Sequence, residues 1–115
     1  MLHSLFTTVS MIAAANPAGF TYNTVTNEMQ CTGYAVALAQ TQNSFGADGL
    51  ASVLSLIQSG TTRATCVGGW LDECTGLYYY DATVIVKTKA EALAIAKANK
   101  QIAIFHLDTL TEIRL

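Results

Sequence analysis

The chain has 115 residues, enough to bury one hydrophobic core and too few for two ordinary domains, so a single domain over 1–115 is expected. Hydrophobic residues make up 51% and charged residues only 12%, which excludes a disordered chain and leaves the polar surface to Thr, Ser, Asn and Gln. A formal net charge of -2 argues against a nucleic-acid binder, and so thin a coat of charge favours self-association or a protein partner.

Met1 to Asn16 is apolar and ends in Ala13-Ala14-Ala15, but it lacks the basic start of a signal peptide. Leu2, Leu5, Phe6, Val9, Ile12 and Ala13 follow the spacing of one helical face, with His3 on the polar side, so a packed helix is expected. The run is too short and too polar to span a bilayer, and no membrane role is expected. Pro17 disfavours helix at Asn16 and marks the stop.

Phe20 to Thr26 and Thr32 to Gln40 are rich in aromatic and β-branched residues and read as two strands of one hairpin, turning at Asn27-Glu28-Met29-Gln30. The uncharged loop Thr41-Gln42-Asn43-Ser44-Phe45-Gly46 leads into a helix over Ala47 to Ser59, whose stripe is Leu50, Val53, Leu54 and Ile57 and whose end is Gly60.

Gly68 to Lys87 holds the only Trp and forms the clearest element, a hairpin turning at Asp72-Glu73-Cys74-Thr75-Gly76 with Gly in the left-handed position. Setting Leu71 opposite Leu77 places Cys66 opposite Ala82. Tyr78, Tyr80, Ala82, Val84 and Val86 form the core side, while Tyr79, Asp81, Thr83, Ile85 and Lys87 face outward.

Thr88-Lys89-Ala90-Glu91 has the capping-box pattern and opens a third helix to about Asn99, buried through Ala92, Leu93 and Ala96. Gln101 to Leu107 and Thr111 to Leu115 close the chain as two short strands. The order α-ββ-α-ββ-α-ββ implies an α+β fold, three helices packed on a mostly antiparallel sheet.

At Asn16-Pro17-Ala18-Gly19-Phe20-Thr21, Thr41 to Gly46, Gly68-Gly69-Trp70-Leu71-Asp72, Thr75-Gly76-Leu77-Tyr78-Tyr79 with Asp81, and Gln101 to Phe105, the chain resembles small proteins of bacteriophages and of mobile elements of gut bacteria. That group has no established activity, so the resemblance implies a setting in a genetic element and no catalytic residue.

The chemistry-bearing residues form no recognised motif. Cys31, Cys66 and Cys74 are an odd number without a CxxC pair, so free cytoplasmic thiols are expected, with Cys31 to Cys66 the one pairing left open. His106 and Asp108 could pair as a base and its orienting carboxylate, but no nucleophile accompanies them. Asp72, Glu73 and Asp81 match no cation loop, and Gly68-Gly69 reads as a site of close packing. Lys87, Lys89, Lys97 and Lys100 gather near the third helix, where single-stranded nucleic acid near Tyr79 is a minor alternative. The favoured reading is a non-catalytic cytoplasmic binding protein without cofactor or metal, using Trp70, Tyr79 and Asp81 of the hairpin and the Gln42, Asn43 and Ser44 loop. The alternative is a small-molecule site or enzyme at that loop. A homo-oligomer through Tyr79 or Ile85 is also expected.

Overall fold

The computed structural model describes the backbone of residues 2–115 and the side chains from residue 5 onward; the expected burial of Leu2 and the position of His3 lie outside the described residues. Helix α1 (Leu2–Ala15) precedes four strands, β1 (Phe20–Asn23), β2 (Glu28–Met29), β3 (Tyr34–Ala37) and β4 (Ser44–Phe45), with a 3-10 turn at Ala39–Thr41 between the last two. Helix α2 (Gly46–Ser59) leads to the hairpin β5 (Cys66–Asp72) and β6 (Leu77–Val86). Helix α3 (Lys89–Ala98) and the pair β7 (Ala103–His106) and β8 (Thr111–Arg114) complete the chain. All pairings are antiparallel and run β2-β1-β5-β6-β3-β7-β8, with β4 beside β6. The α+β fold expected from the helix and strand rhythm is the one observed.

Strand alternation decides which face the helices cover. Tyr80, Ala82, Val84 and Val86 of β6 are buried in one core with Phe20, Tyr22, Val36, Val67 and Ile104, as the period of two requires. Against them lie Val9 and Ala13 of α1, Leu50, Val53, Leu54 and Ile57 of α2, and Ala92 and Ala96 of α3. The two alanines let α3 approach β3 closely, as a small-residue stripe should.

The helix ends follow their sequence signals. Asn16 follows α1 and donates from its amide to Ile12 O at 2.8 Å. Gly60 closes α2 with φ of 71°. Thr88 Oγ1 accepts from Glu91 N–H at 3.2 Å, while the Glu91 carboxylate meets Arg63 at 3.3 Å.

Two expectations are corrected. The segments 20–26 and 32–40 do not pair with each other: β1 lies between β2 and β5, while β3 lies between β6 and β7. The turn comes earlier, at Thr24 to Asn27, because Asn23 Oδ1 accepts from Val25 and Thr26 N–H and Asn27 takes the left-handed conformation, φ 59°. The central hairpin is also one residue out of the assumed register, with Asp72 opposite Leu77 and Cys66 opposite Thr83. Gly76 N–H bonds Asp72 O at 2.7 Å, which closes the loop at Asp72 rather than at Leu71.

Thr41 performs a task that no motif announces. β6 pairs with β4 at Tyr79 and Tyr80 and with β3 from Thr83 onward, so Ala82 falls between two partners. Leu38 N–H donates to Ala82 O at 2.9 Å, and the buried Thr41 hydroxyl accepts from Ala82 N–H at 2.9 Å. The 3-10 turn exists to deliver that hydroxyl, since an unpaired buried N–H is costly.

Candidate functional site: the helix-free face of the sheet

The face turned away from the helices carries Thr21, Asn23, Cys66, Gly68, Trp70, Tyr79, Asp81, Thr83 and Ile85, by the same alternation. It has two unlike ends. At one, the segment 30–33 connects β2 beyond β1 to β3 beyond β6 and forms a strap. Gln30 N–H bonds Thr21 O at 2.8 Å, Asn23 donates its amide to Gln30 Oε1 at 3.0 Å, and Gln30 shares a cleft with Ile85. Cys66 and Thr83 are only 0% and 3% exposed on a face without helices, at the end that the strap spans.

At the other end three aromatic rings cross three strands. Trp70 stacks on Tyr79 with centroids 5.2 Å apart, and Phe45 meets Tyr79 edge to face at 5.6 Å. Trp70 and Phe45 remain 47% and 45% exposed. The register produces this row, since Trp70 and Phe45 both oppose Tyr79 from its two sides. On the β1 side Gly19 lies beside Trp70, and a Cβ there would stand 3.7 Å from Trp70 Cβ and 3.1 Å from Gly69 O.

Asp81 stands between the two ends, half-buried, and accepts a short hydrogen bond from the Thr83 hydroxyl. Burial pushes its carboxyl above the usual carboxylate range, and the Thr83 bond opposes that shift. Gly68 makes the room: a Cβ there would lie 2.8 Å from Asp81 Oδ1 and 3.0 Å from Thr83 Oγ1. Gly69 does the same on the covered face, where a Cβ would lie 2.4 Å from Phe20 Cε1. The adjacent glycines therefore serve opposite faces, which explains the pair as close packing.

The structure gathers the expected site residues only in part. Trp70, Tyr79 and Asp81 lie on one face, whereas Ser44, opposite the buried Tyr80, is turned to the covered face and does not join them. Gln42 and Asn43 stay apart, both exposed, Gln42 accepting from Gln101 at 3.4 Å and Asn43 in the left-handed conformation of a turn. Phe45 was the residue missed, and its signal was a lone aromatic in a polar loop beside a strand.

Other groups have structural partners. His106 stacks on Tyr34 at 4.2 Å, with Nε2 3.2 Å from Asp108 and Nδ1 3.1 Å from the Thr109 hydroxyl, while Asp108 also accepts from Gly33 N–H at 2.7 Å. Both ring nitrogens meet partners within the β7–β8 turn, and the Tyr34 stack and the Asp108 bond to Gly33 tie that turn to β3. Asp72 and Glu73 lie at the hairpin tip, far along β5 from Asp81, and no group of three metal-binding side chains gathers among the described residues. Lys89 and Lys97 lie on α3, across the sheet from Tyr79. All three cysteines are free; Cys31 and Cys74 are exposed, and burial pushes the Cys66 thiol up to about 11, against the Thr65 hydrogen bond. No helix among the described residues is long and apolar enough to cross a membrane.

No family model, curated protein or solved structure matches this chain. The functional reading therefore rests on the face itself.

Proposed function

We propose that the chain is a non-catalytic cytoplasmic binding protein, carried by a bacteriophage or mobile element, that engages a protein partner through the aromatic end of its helix-free face. The observation that carries this reading is the unbroken row Phe45, Tyr79 and Trp70, whose outer members are nearly half exposed although the fold has a core available to bury them. Rigid aromatic side chains at the centre of a patch are the usual source of binding energy in protein interfaces. Free, exposed Cys31 and Cys74 accord with a reducing compartment. The resemblance to genetic-element proteins supplies the setting, in which a host protein is the natural partner.

The test begins with affinity capture from bacterial lysate, followed by titration of the purified partner against wild type, Trp70→Ala and the control Lys97→Ala. The expected result is saturable binding that Trp70→Ala weakens by about 2 kcal/mol or more, as at interface hot spots, and that Lys97→Ala leaves unchanged. Equal affinity across the three proteins rejects the aromatic face as the contact. A second reading rests on the 47% exposure of Trp70, on the same face as Asp81: a small ligand could stack on the ring and reach the Asp81 carboxyl. A bound metabolite in native mass spectrometry, lost with Trp70→Ala, would select that reading over a protein partner.

A further inference from the structure

We infer that β8 is the seam of a symmetric dimer in which two copies join their sheets, a surface separate from the aromatic end. β8 is one terminus of the sheet, and among the described residues its only strand partner is β7. The other terminus, β2, is two residues long and offers little to pair with. The hairpin strands β5 and β6, where a contact through Tyr79 or Ile85 is expected from sequence, lie inside the sheet order, with other strands beside both of them.

The hydrogen-bond parity of β8 determines how a copy can dock. Leu115 N–H donates to Ile102 O at 2.9 Å, and Ile113 opposes Ile104, so the backbone groups of 111, 113 and 115 point inward to β7. Those of Glu112 and Arg114 therefore point to the free edge. An antiparallel copy must pair these outward residues with each other, which allows Glu112 opposite Glu112, Arg114 opposite Arg114, or Glu112 opposite Arg114. Only the last sets opposite charges across the seam, and it places the dyad at Ile113. Each Glu112 then exchanges both backbone hydrogen bonds with Arg114 of the second copy, and the two carboxylate and guanidinium pairs lie on the helix-free face.

The opposite face fits as well. Ile113 is partly buried under α3, in a shallow groove of about 420 Å³ that it shares with Leu93 and Leu115. A second Ile113 directly across the dyad, in a non-hydrogen-bonded pair, closes that groove with apolar surface. The rim carries Lys89 and Lys97, whose approach to their counterparts opposes the seam, so the dimer is a weak one that needs the Glu112 and Arg114 pairing.

Charge reversal tests the register. Light scattering over a concentration series should show a monomer passing to a dimer. Glu112→Arg and Arg114→Glu should each weaken dimerisation about tenfold or more, because each sets like charges opposite. The double variant should restore it, which no alternative register predicts. Glu112→Pro removes only an outward N–H and should abolish the dimer while circular dichroism stays native. In a Cys31→Ser, Cys74→Ser background, Ile113→Cys should oxidise to a covalent dimer, since the dyad brings the two positions within disulfide reach. A monomer at every concentration, a dimer indifferent to Glu112→Pro, or a double variant as weak as the singles overturns the inference, including the case where the edge takes up a foreign peptide instead.

Discussion

The two ends of the helix-free face begin from similar material and arrive at opposite conditions. Both lie on the same strands, β5 and β6, and both present outward positions of the same alternation. Under the strap, Cys66 and Thr83 are as inaccessible as the helix-covered core, whereas two strand steps or more away Trp70 stands 47% exposed. Residue type does not produce this difference, since the larger apolar surface is the exposed one. The route of the chain differs instead: the segment 30–33 links β2 to β3 past one end, while Trp70 and Phe45 at the other stay nearly half exposed. Exposure on this protein is thus a matter of topology, and the aromatic end is where topology has left a hydrophobic surface without a cover.

The largest effects should come from substitutions that test which face each glycine serves. Gly69→Ala drives a methyl into the Phe20 and Tyr78 rings, 2.4 and 2.8 Å away, on the packed side. A cost of about 2–3 kcal/mol is expected, read from urea midpoints. Gly68→Ala meets the Asp81 and Thr83 side-chain oxygens on the helix-free side, and they can yield. About 1 kcal/mol is expected there, and equal costs would mean that the two faces are equally rigid.

Thr41→Val comes next. It keeps the volume and removes the acceptor for Ala82 N–H, so the covered face loses about 1–3 kcal/mol while Trp70 fluorescence, which reports the aromatic end, stays as it was. A shift in the emission would show that the junction at Ala82 also shapes the aromatic row.

Asp81 marks the boundary between the ends and should give the face its pH dependence. Its folded pKa is raised, chiefly by burial, so the folded chain keeps a proton that the unfolded chain has already lost. The associated stability is full below the ordinary carboxylate range and falls as pH rises from that range through the folded value. Asp81→Asn keeps an acceptor for Thr83 and cannot ionise. It should be more stable than wild type at about pH 7, with the advantage shrinking toward about pH 3. Denaturation curves that stay parallel across that range would show that Asp81 is solvated when the protein is folded.

The fold was largely legible because its signals are local. Thr88 before a small-residue stripe, Gly60 after Ile57, and the Asp72 to Gly76 turn each act within one element, and each appears where the residues indicate. What stayed illegible depends on pairings between distant segments. Tyr22 and Val36 both have strand character, but only the insertion of β5 and β6 between their strands decides that they do not pair. The site was half legible for the same reason. Outward alternation identified Tyr79 and Asp81, but Trp70 reaches their face only through the observed register, Phe45 joins them only through a two-residue strand, and Gln42 and Asn43 satisfy a turn rather than the face.

The smallest expected effect on stability sharpens the contrast most directly. If the strap is what separates the two ends, loosening it should change access to Cys66 without unfolding the protein. In the native state, alkylation should modify Cys31 and Cys74 quickly and Cys66 very slowly. That thiol is fully buried, and burial pushes its pKa up to about 11, so while the strap is closed it is neither reachable nor ionised at about pH 8. Gln30→Ala deletes the side-chain bonds to Asn23 and to Thr32 O, both at 3.0 Å. Each is at least partly exposed, so global stability should fall by about 1 kcal/mol or less. The strap then lacks its side-chain tie to Asn23, so Cys66 should label several-fold faster than the small global change accounts for. Mass spectrometry of alkylated protein over time separates the two rates. If Cys66 labelling tracks global unfolding in both proteins, its burial belongs to the sheet's own curl, and the strap is a passenger on a face that would be closed at that end without it.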